Sequence, residues 1–131
     1  MSAINWMEVF GWDKGNLEDL RFVGYAYLKQ GKYDIAITLF KALIVLDPHN
    51  AYDLQTLGAL FLEQGNHLLA LSYLERSLKI EPNHPFALLN RSKALFGLGY
   101  KRQAMTAARS LEKNPDPRIA DGAFSLILSH S

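Results

Sequence analysis

The sequence repeats itself at an interval of 34 residues between positions 17 and 118. Leucine, glycine and alanine recur at corresponding positions of three sequence copies. The clearest sets are Leu20, Leu54 and Leu88; Gly31, Gly65 and Gly99; and Ala36, Ala70 and Ala104. A fixed period of this length is typical of stacked supersecondary units, because one such unit cannot bury its apolar faces alone. The spacing therefore predicts a series of similar units that pack one on the next.

Each copy has the pattern of two helices separated by a glycine. In the first copy, the apolar spacing predicts helices over about residues 17–30 and 33–46. Gly31 is expected to end the first helix in a left-handed conformation, and Asn16 to cap its start. Pro48 ends the second helix, because proline lacks the amide donor. The prediction is an all-α superhelix of three helix-turn-helix repeats.

These repeats divide the chain into segments of one domain. We expect an N-terminal segment at 1–16, repeats at 17–50, 51–84 and 85–118, and a capping helix at 119–131. The second helix of the third repeat is expected to be weaker, because Ala108 stands where Phe40 and Leu74 stand. Small residues there would let the last helix approach closely.

Composition and motifs argue against several functions. The formal net charge of +1 predicts no strong attraction to nucleic acid or to membranes. No cysteine is present, and the four histidines share no ligand spacing, so we expect no metal site. The sequence shows no catalytic constellation and no phosphate-binding loop, which predicts a protein without cofactor or enzymatic activity. It shows neither a signal peptide nor a membrane span, so the expected location is cytoplasmic.

Residues 4–12 are dense in large apolar side chains, and a short amphipathic helix is expected there. Three roles remain open for this segment. It caps the first repeat, it forms a surface through which two copies of the chain associate as a homodimer, or it lies in the protein's own groove.

That groove is the predicted concave face of the superhelix. At about 100° per residue, six positions in the first helix of each repeat point away from the second helix. The candidate partner-binding residues on this face are Arg21, Phe22, Tyr25, Leu28, Tyr52, Thr56, Ala59, Leu62, Phe86, Leu89, Asn90, Lys93 and Phe96. A helix that is apolar on two faces must bury both. Neighbouring helices, a partner's segment or residues 4–12 must therefore cover this face.

The repeated residues carry a family resemblance. The first repeat has Leu20, Gly24, Tyr27, Ala36, Phe40 and Pro48, and the second has Leu54, Gly58, Phe61, Ala70, Leu74 and Pro82. This pattern resembles that of tetratricopeptide-repeat proteins. The resemblance implies a helical scaffold that binds proteins without catalysis.

A narrower resemblance involves the stretches Tyr27–Asp34 and Phe40–Asp47, which are similar to the first repeat of small type III secretion chaperones. In that family, translocator chaperones hold an extended segment of a secreted translocator in the groove. Needle-subunit chaperones hold an amphipathic helix, usually with a second small helical co-chaperone, and Asp116–Asp121 resembles their C-terminal part. The resemblance implies a secreted protein as partner, and both conformations of the bound segment stay open.

Two other functions are known for scaffolds of this kind or compatible with the charge of this chain. Tetratricopeptide domains that bind the C-terminal carboxylate of heat-shock proteins use a clamp of Lys, Asn, Asn, Lys and Arg. The matching positions here are Arg21, Tyr25, Thr56, Phe86 and Asn90, and only Arg21 keeps a charge, so this role is not expected. The alternative to a chaperone is a general adaptor that joins two folded proteins through its convex or basic surface, since residues 85–118 carry seven lysines and arginines against two acidic residues.

Overall fold

The computed structural model describes residues 4–131 and shows eight helices and no strand in that range. The helices are α1 (Trp6–Phe10), α2 (Lys14–Lys29), α3 (Tyr33–Leu46), α4 (Ala51–Glu63), α5 (His67–Ile80), α6 (Pro85–Gly97), α7 (Lys101–Arg109) and α8 (Pro117–Ser129). The predicted all-α fold is confirmed. Residues 1–3 of the predicted N-terminal segment lie outside the described residues. None of the helices within 4–131 has the length and apolar character needed to cross a membrane.

Tight glycine turns join the helices into the pairs α2–α3, α4–α5 and α6–α7. Gly31, Gly65 and Gly99 follow the ends of α2, α4 and α6 with φ angles of 74°, 75° and 87°. Only glycine adopts this left-handed backbone at no steric cost. The amide of Lys32 then donates to the carbonyl of Tyr27 at 3.0 Å, which reverses the chain into α3. The predicted left-handed conformation of Gly31 is confirmed.

The start of α2 differs from the prediction that Asn16 is the N-cap. The cap is Asp13, whose Oδ1 accepts from the amide of Asn16 at 3.1 Å. The side chain of Asn16 in turn accepts from the amide of Asp13 at 2.9 Å. This reciprocal capping box satisfies two free amides, and it begins the helix at Lys14 although Gly15 is a poor helix former.

Two apolar clusters form the core. The larger one runs through the first two pairs into α6 and includes the fully buried Phe40, Leu43, Leu57 and Leu74. The smaller one joins α6 to the last helix through four buried residues, which are Leu89, Leu111, Ile119 and Ala123. In the second helix of the third pair, Ala104 and Ala108 are fully buried. α7 has nine residues, against 14 in both α3 and α5, which agrees with its predicted weakness.

The short helix α1 lies beside the C-terminal end of α3. Its Met7 packs against the larger cluster, and the contact borders a cavity of about 600 Å³ that Ile44, Val45 and Leu46 also line. The remaining large side chains of this segment are exposed, and they are Ile4, Trp6, Val9, Phe10 and Trp12. α1 therefore does not lie in the groove, which removes that alternative for these residues.

The pairs are close-packed at glycines that permit no larger side chain. A Cβ built on Gly58 in α4 would lie 2.7 Å from Cγ of Leu74 and 3.3 Å from the carbonyl oxygen of Ala70, both in α5. Leu74 is fully buried and has no room to move. Gly24 in α2 meets Phe40 of α3 in the same way, at 2.9 Å.

We expect Gly58→Ala to destabilise the protein by about 1–3 kcal/mol through overpacking. Helix propensity alone predicts the opposite sign, because alanine favours a helix interior by about 1 kcal/mol over glycine. Urea unfolding measures the difference. Ser72→Ala, at an exposed position of α5, is the control and should leave stability nearly unchanged. A Gly58→Ala variant as stable as the wild type would contradict this packing.

Candidate functional site

The first helices of the three pairs, α2, α4 and α6, carry the residues that the sequence predicts to line a groove. Three cavities lie along it. The first, between α2 and α4, has a volume of about 620 Å³. The second, of about 390 Å³, lies between Tyr52 and the turn that leads into α6. The third, of about 250 Å³, is lined by residues of α4, α5 and α6.

A buried ion pair joins α2 to α4 beneath the groove. Nε of Arg21 donates to both carboxylate oxygens of Asp53, at 2.8 and 3.0 Å, and Nη2 donates to Oδ2 of the same residue at 2.7 Å. Nη2 also donates to Asp47 at 2.8 Å, and Nη1 to Glu18 at 3.2 Å. The side chain of Asp53 is 0% exposed and that of Arg21 is 13% exposed. All three guanidinium nitrogens are thus bound to carboxylates of the chain itself.

The pKa values of both groups are shifted, for different reasons. The hydrogen bonds to Asp53 raise the pKa of the Arg21 guanidinium above its ordinary value. Burial raises the pKa of the Asp53 carboxyl, and the hydrogen bonds from Arg21 oppose that rise. Removal of Arg21 would leave the buried carboxylate of Asp53 without its partner. The bonds between the two side chains tie α2 to α4.

Tyr25 lies at the centre of this part of the groove. Its ring packs edge-on against Phe40 at a centroid distance of 5.5 Å and tilts against Tyr52 at 5.8 Å. Its hydroxyl shares a 3.1 Å hydrogen bond with Oγ1 of Thr56, which also donates to the carbonyl of Tyr52 at 2.9 Å. Burial raises the pKa of the Tyr25 hydroxyl, which therefore stays neutral at physiological pH.

The predicted residues of α2 and α4 differ widely in exposure. Phe22 is 76% exposed and Tyr52 is 47% exposed, so two aromatic rings face outward. Leu28 and Leu62 are half-buried against the larger cluster. Thr56 is buried, and its hydroxyl is satisfied within the chain. The open surface is therefore aromatic, and it lies mainly over the first two pairs.

The predicted residues of α6 are partly covered by the last helix. Leu89 is 5% exposed and belongs to the smaller cluster, so it is a core residue and offers no open surface. Phe96 stacks on His130 with ring centroids 3.9 Å apart, and the guanidinium of Arg118 lies 4.9 Å from the ring centroid of Phe86. These two contacts could not be predicted from the sequence, because no local pattern relates Arg118 or His130 to α6.

Polar side chains form most of the lining of the third cavity. Glu63, His67, Asn90 and Lys93 line it together with Ala59 and Leu62. Asn90 is buried, and Nδ1 of His67 is buried without a hydrogen-bond partner in the described residues. Asn90 and Lys93 were predicted for the groove, whereas His67 comes from a second helix and was missed. No group of three or more potential metal ligands occurs in the described part of the chain.

Comparison with known proteins places this geometry in a family. A family model described as anaphase-promoting complex, cyclosome, subunit 3 matches residues 29–111, which is more than half of the chain. The chain belongs to this family of tetratricopeptide-like repeats. The predicted tetratricopeptide-repeat character is thereby confirmed. No curated protein matches the sequence.

Solved structures with the same fold cover nearly the whole chain. PcrH of Pseudomonas aeruginosa, in complex with the chaperone-binding region of PopD, has a TM-score of 0.82 at 23% identity, over 92% of this chain and 94% of that one. The type III secretion chaperone SycD of Yersinia enterocolitica, with a peptide of the translocator YopD, has a TM-score of 0.80 at 20% identity, over 90% and 94%.

A third neighbour is the first tetratricopeptide domain of Spaghetti (RPAP3) bound to an HSP90 peptide. Its TM-score is 0.80 at 24% identity, and the match covers 90% of this chain and 92% of that one. At these identities the matches establish the fold. The predicted likeness to type III secretion chaperones is confirmed at that level.

We expect Arg21→Met to destabilise the protein by about 3 kcal/mol, because Asp53 would be left charged and unpaired in a buried site. Urea unfolding measures the loss. The double variant Arg21→Met with Asp53→Leu should recover most of it, because both charges are then absent. Arg118→Met is the control. It removes an exposed pair with Asp116 and the contact with the ring of Phe86, and it should cost at most about 1 kcal/mol. A stable Arg21→Met single variant would refute the buried pair.

Proposed function

We propose that this chain is a cytoplasmic chaperone of a type III secretion system that holds an apolar segment of a secreted protein in its groove. The observation that carries the proposal is the open aromatic surface over α2 and α4. Phe22 and Tyr52 are exposed beside two cavities of about 620 and 390 Å³. Large apolar side chains that are exposed together beside a cavity are typical of a site of interaction.

The structural neighbours support the same class of ligand. PcrH and SycD are described as binding a region of PopD and a peptide of YopD. Both neighbours carry their peptides on a fold that superposes on most of this chain. A repeat scaffold with a preformed groove binds a segment mainly by contact area, and polar groups then fix its register.

Within this groove we assign two kinds of role. Phe22, Tyr25, Tyr52, Phe86 and Phe96 supply the apolar contact. Asn90 and Lys93 fix the register by hydrogen bonds, whereas Thr56 already uses its hydroxyl within the chain. The bound segment is one that would otherwise self-assemble or enter a membrane, and burial in the groove prevents both until export. A second small helical co-chaperone is the further partner that the needle-subunit branch would require.

A clamp for a C-terminal carboxylate is not part of the proposal, although the Spaghetti domain is described as binding an HSP90 peptide. Such a clamp needs free cationic donors in the groove. Arg21 is the cation at a matching position, and its three nitrogens already bind Asp53, Asp47 and Glu18. The C-terminal carboxylate of a ligand placed beside Arg21 would be repelled by these three carboxylates.

The double variant Tyr52→Ala with Phe86→Ala should lose the partner and keep its helical fold. Both residues line the cavity of about 390 Å³, and neither is in the buried core. Native mass spectrometry of the protein purified from its host's cytoplasm measures retention of a small secreted partner. The matched control is the double variant Tyr100→Ala with Leu68→Ala. It removes one exposed aromatic residue at the N-cap of α7 and one exposed aliphatic residue in α5.

The same measurement separates the adaptor alternative. One observation favours an adaptor, namely the basic surface of α7, where Lys101, Arg102 and Arg109 surround a cavity of about 390 Å³. If Lys101→Glu with Arg102→Glu loses the partner and the Tyr52 and Phe86 variant keeps it, the groove proposal is refuted in favour of that surface.

We further propose that the exposed face of α1 binds a second copy of the chain. Val9 and Phe10 are 61% and 57% exposed on a helix that contacts only α3 among the described elements. Phe10→Glu should convert a homodimer to a monomer, and sedimentation equilibrium reports the mass. A wild-type protein that is monomeric at micromolar concentration would overturn this assignment.

A further inference from the structure

The cavity between α2 and α4 has a chemical character that distinguishes it from the rest of the groove. Its lining residues are Glu18, Asp19, Arg21, Phe22, Tyr25, Asn50 and Tyr52, and its volume is about 620 Å³. Aromatic rings form one part of this lining, and carboxylates form another. We call it the α2–α4 cavity.

The charge around the α2–α4 cavity is negative. Its one cation, Arg21, binds three carboxylates through its three nitrogens. The side chain of Glu18 is 73% exposed, so water and ligands can reach it. Asp19 is also exposed, and among residues 4–131 it has no basic partner within salt-bridge distance. Three carboxylates, those of Glu18, Asp47 and Asp53, thus bind a single guanidinium, and the carboxylate of Asp19 adds a fourth negative charge to the lining.

The aromatic part of the lining suits a cation as well. Tyr25 and Tyr52 tilt against each other with centroids 5.8 Å apart, and Phe22 is 76% exposed. The face of an aromatic ring attracts a cation within about 6 Å of its centroid. The aliphatic stem of a lysine or arginine can pack on such rings while its charged end reaches a carboxylate.

We propose that the α2–α4 cavity binds a lysine or arginine side chain of the segment that the groove holds. This inference rests on the function proposed above, and it names the chemistry of one anchor residue. An apolar side chain in the same place would desolvate Glu18 and Asp19 without compensation, and an acidic one would be repelled.

The opposite end of the groove has no such excess of acid. Glu63 and Lys93 both line the cavity between α4 and α6, and Arg118, which lies over the ring of Phe86, is paired with Asp116. The excess of negative charge therefore lies at the α2 end, and we expect the basic residue of the segment to bind there.

The test uses a phage library of random dodecapeptides, selected in parallel on four forms of the full chain. These are the wild type, the neutral variant Glu18→Gln with Asp19→Asn, the matched control Glu112→Gln on an exposed acid outside the groove, and Tyr52→Ala with Phe86→Ala. Circular dichroism and thermal melting confirm that each variant folds. Wild type and control should enrich a lysine or arginine at one fixed distance from apolar residues. The neutral variant should keep the apolar residues and lose the basic one.

Affinities then measure the anchor directly. Replacing the selected lysine by norleucine should weaken binding to the wild type by about 3- to 30-fold and should weaken binding to the neutral variant less, because only the aromatic rings then attract the cation. If the wild type selects apolar peptides in the groove with no fixed basic residue, the cation anchor is refuted and the chaperone proposal stands. If wild type and the Tyr52 and Phe86 variant select the same peptides, or none, both proposals are refuted.

Discussion

Each helix pair in this chain must bury an apolar side against the next pair, and a stack of pairs has two ends where no next pair exists. The C-terminal end is closed by α8, which places Ile119 and Ala123 against Leu89 in the smaller cluster. The N-terminal end has α1, which contributes Met7 to the core and leaves its other large side chains exposed. The two ends are therefore unequal: among the described residues, five large apolar side chains are exposed over 4–12, against two in α8, which are Phe124 and Leu128.

The contact between α2 and α4 adds a polar constraint to this apolar stack. A buried ion pair contributes little net stability compared with well-packed apolar residues, so the Arg21–Asp53 pair is better understood through geometry. Its bidentate bonds fix the rotation of α2 against α4. That rotation sets the distance between Tyr25 and Tyr52, which is 5.8 Å. The shape of the aromatic surface thus depends on a charge pair that lies beneath it.

The helices and turns could be predicted from the sequence better than the contacts and burial of individual side chains. The helices and the left-handed glycine turns follow from a local sequence pattern, which occurs three times at an interval of 34 residues. Capping at Asp13 was missed because Asp and Asn are both good caps and here both take part. The burial of Asp53 has no local signal, since Asp19 occupies the same repeat position and is exposed. Asp53 differs from Asp19 only in that another repeat precedes it, so its burial depends on tertiary packing and not on the local sequence.

The coverage of α6 by α8 also limits the length of a bound segment. Packed helices lie about 8–10 Å apart, so a segment that crosses α2, α4 and the open part of α6 spans roughly 20–30 Å. An extended chain covers that span with about six to nine residues at ~3.3 Å each, whereas a helix rising 1.5 Å per residue needs about 13–20. The shortest peptide that retains full affinity, found by truncation from both ends, therefore separates the extended from the helical mode of binding.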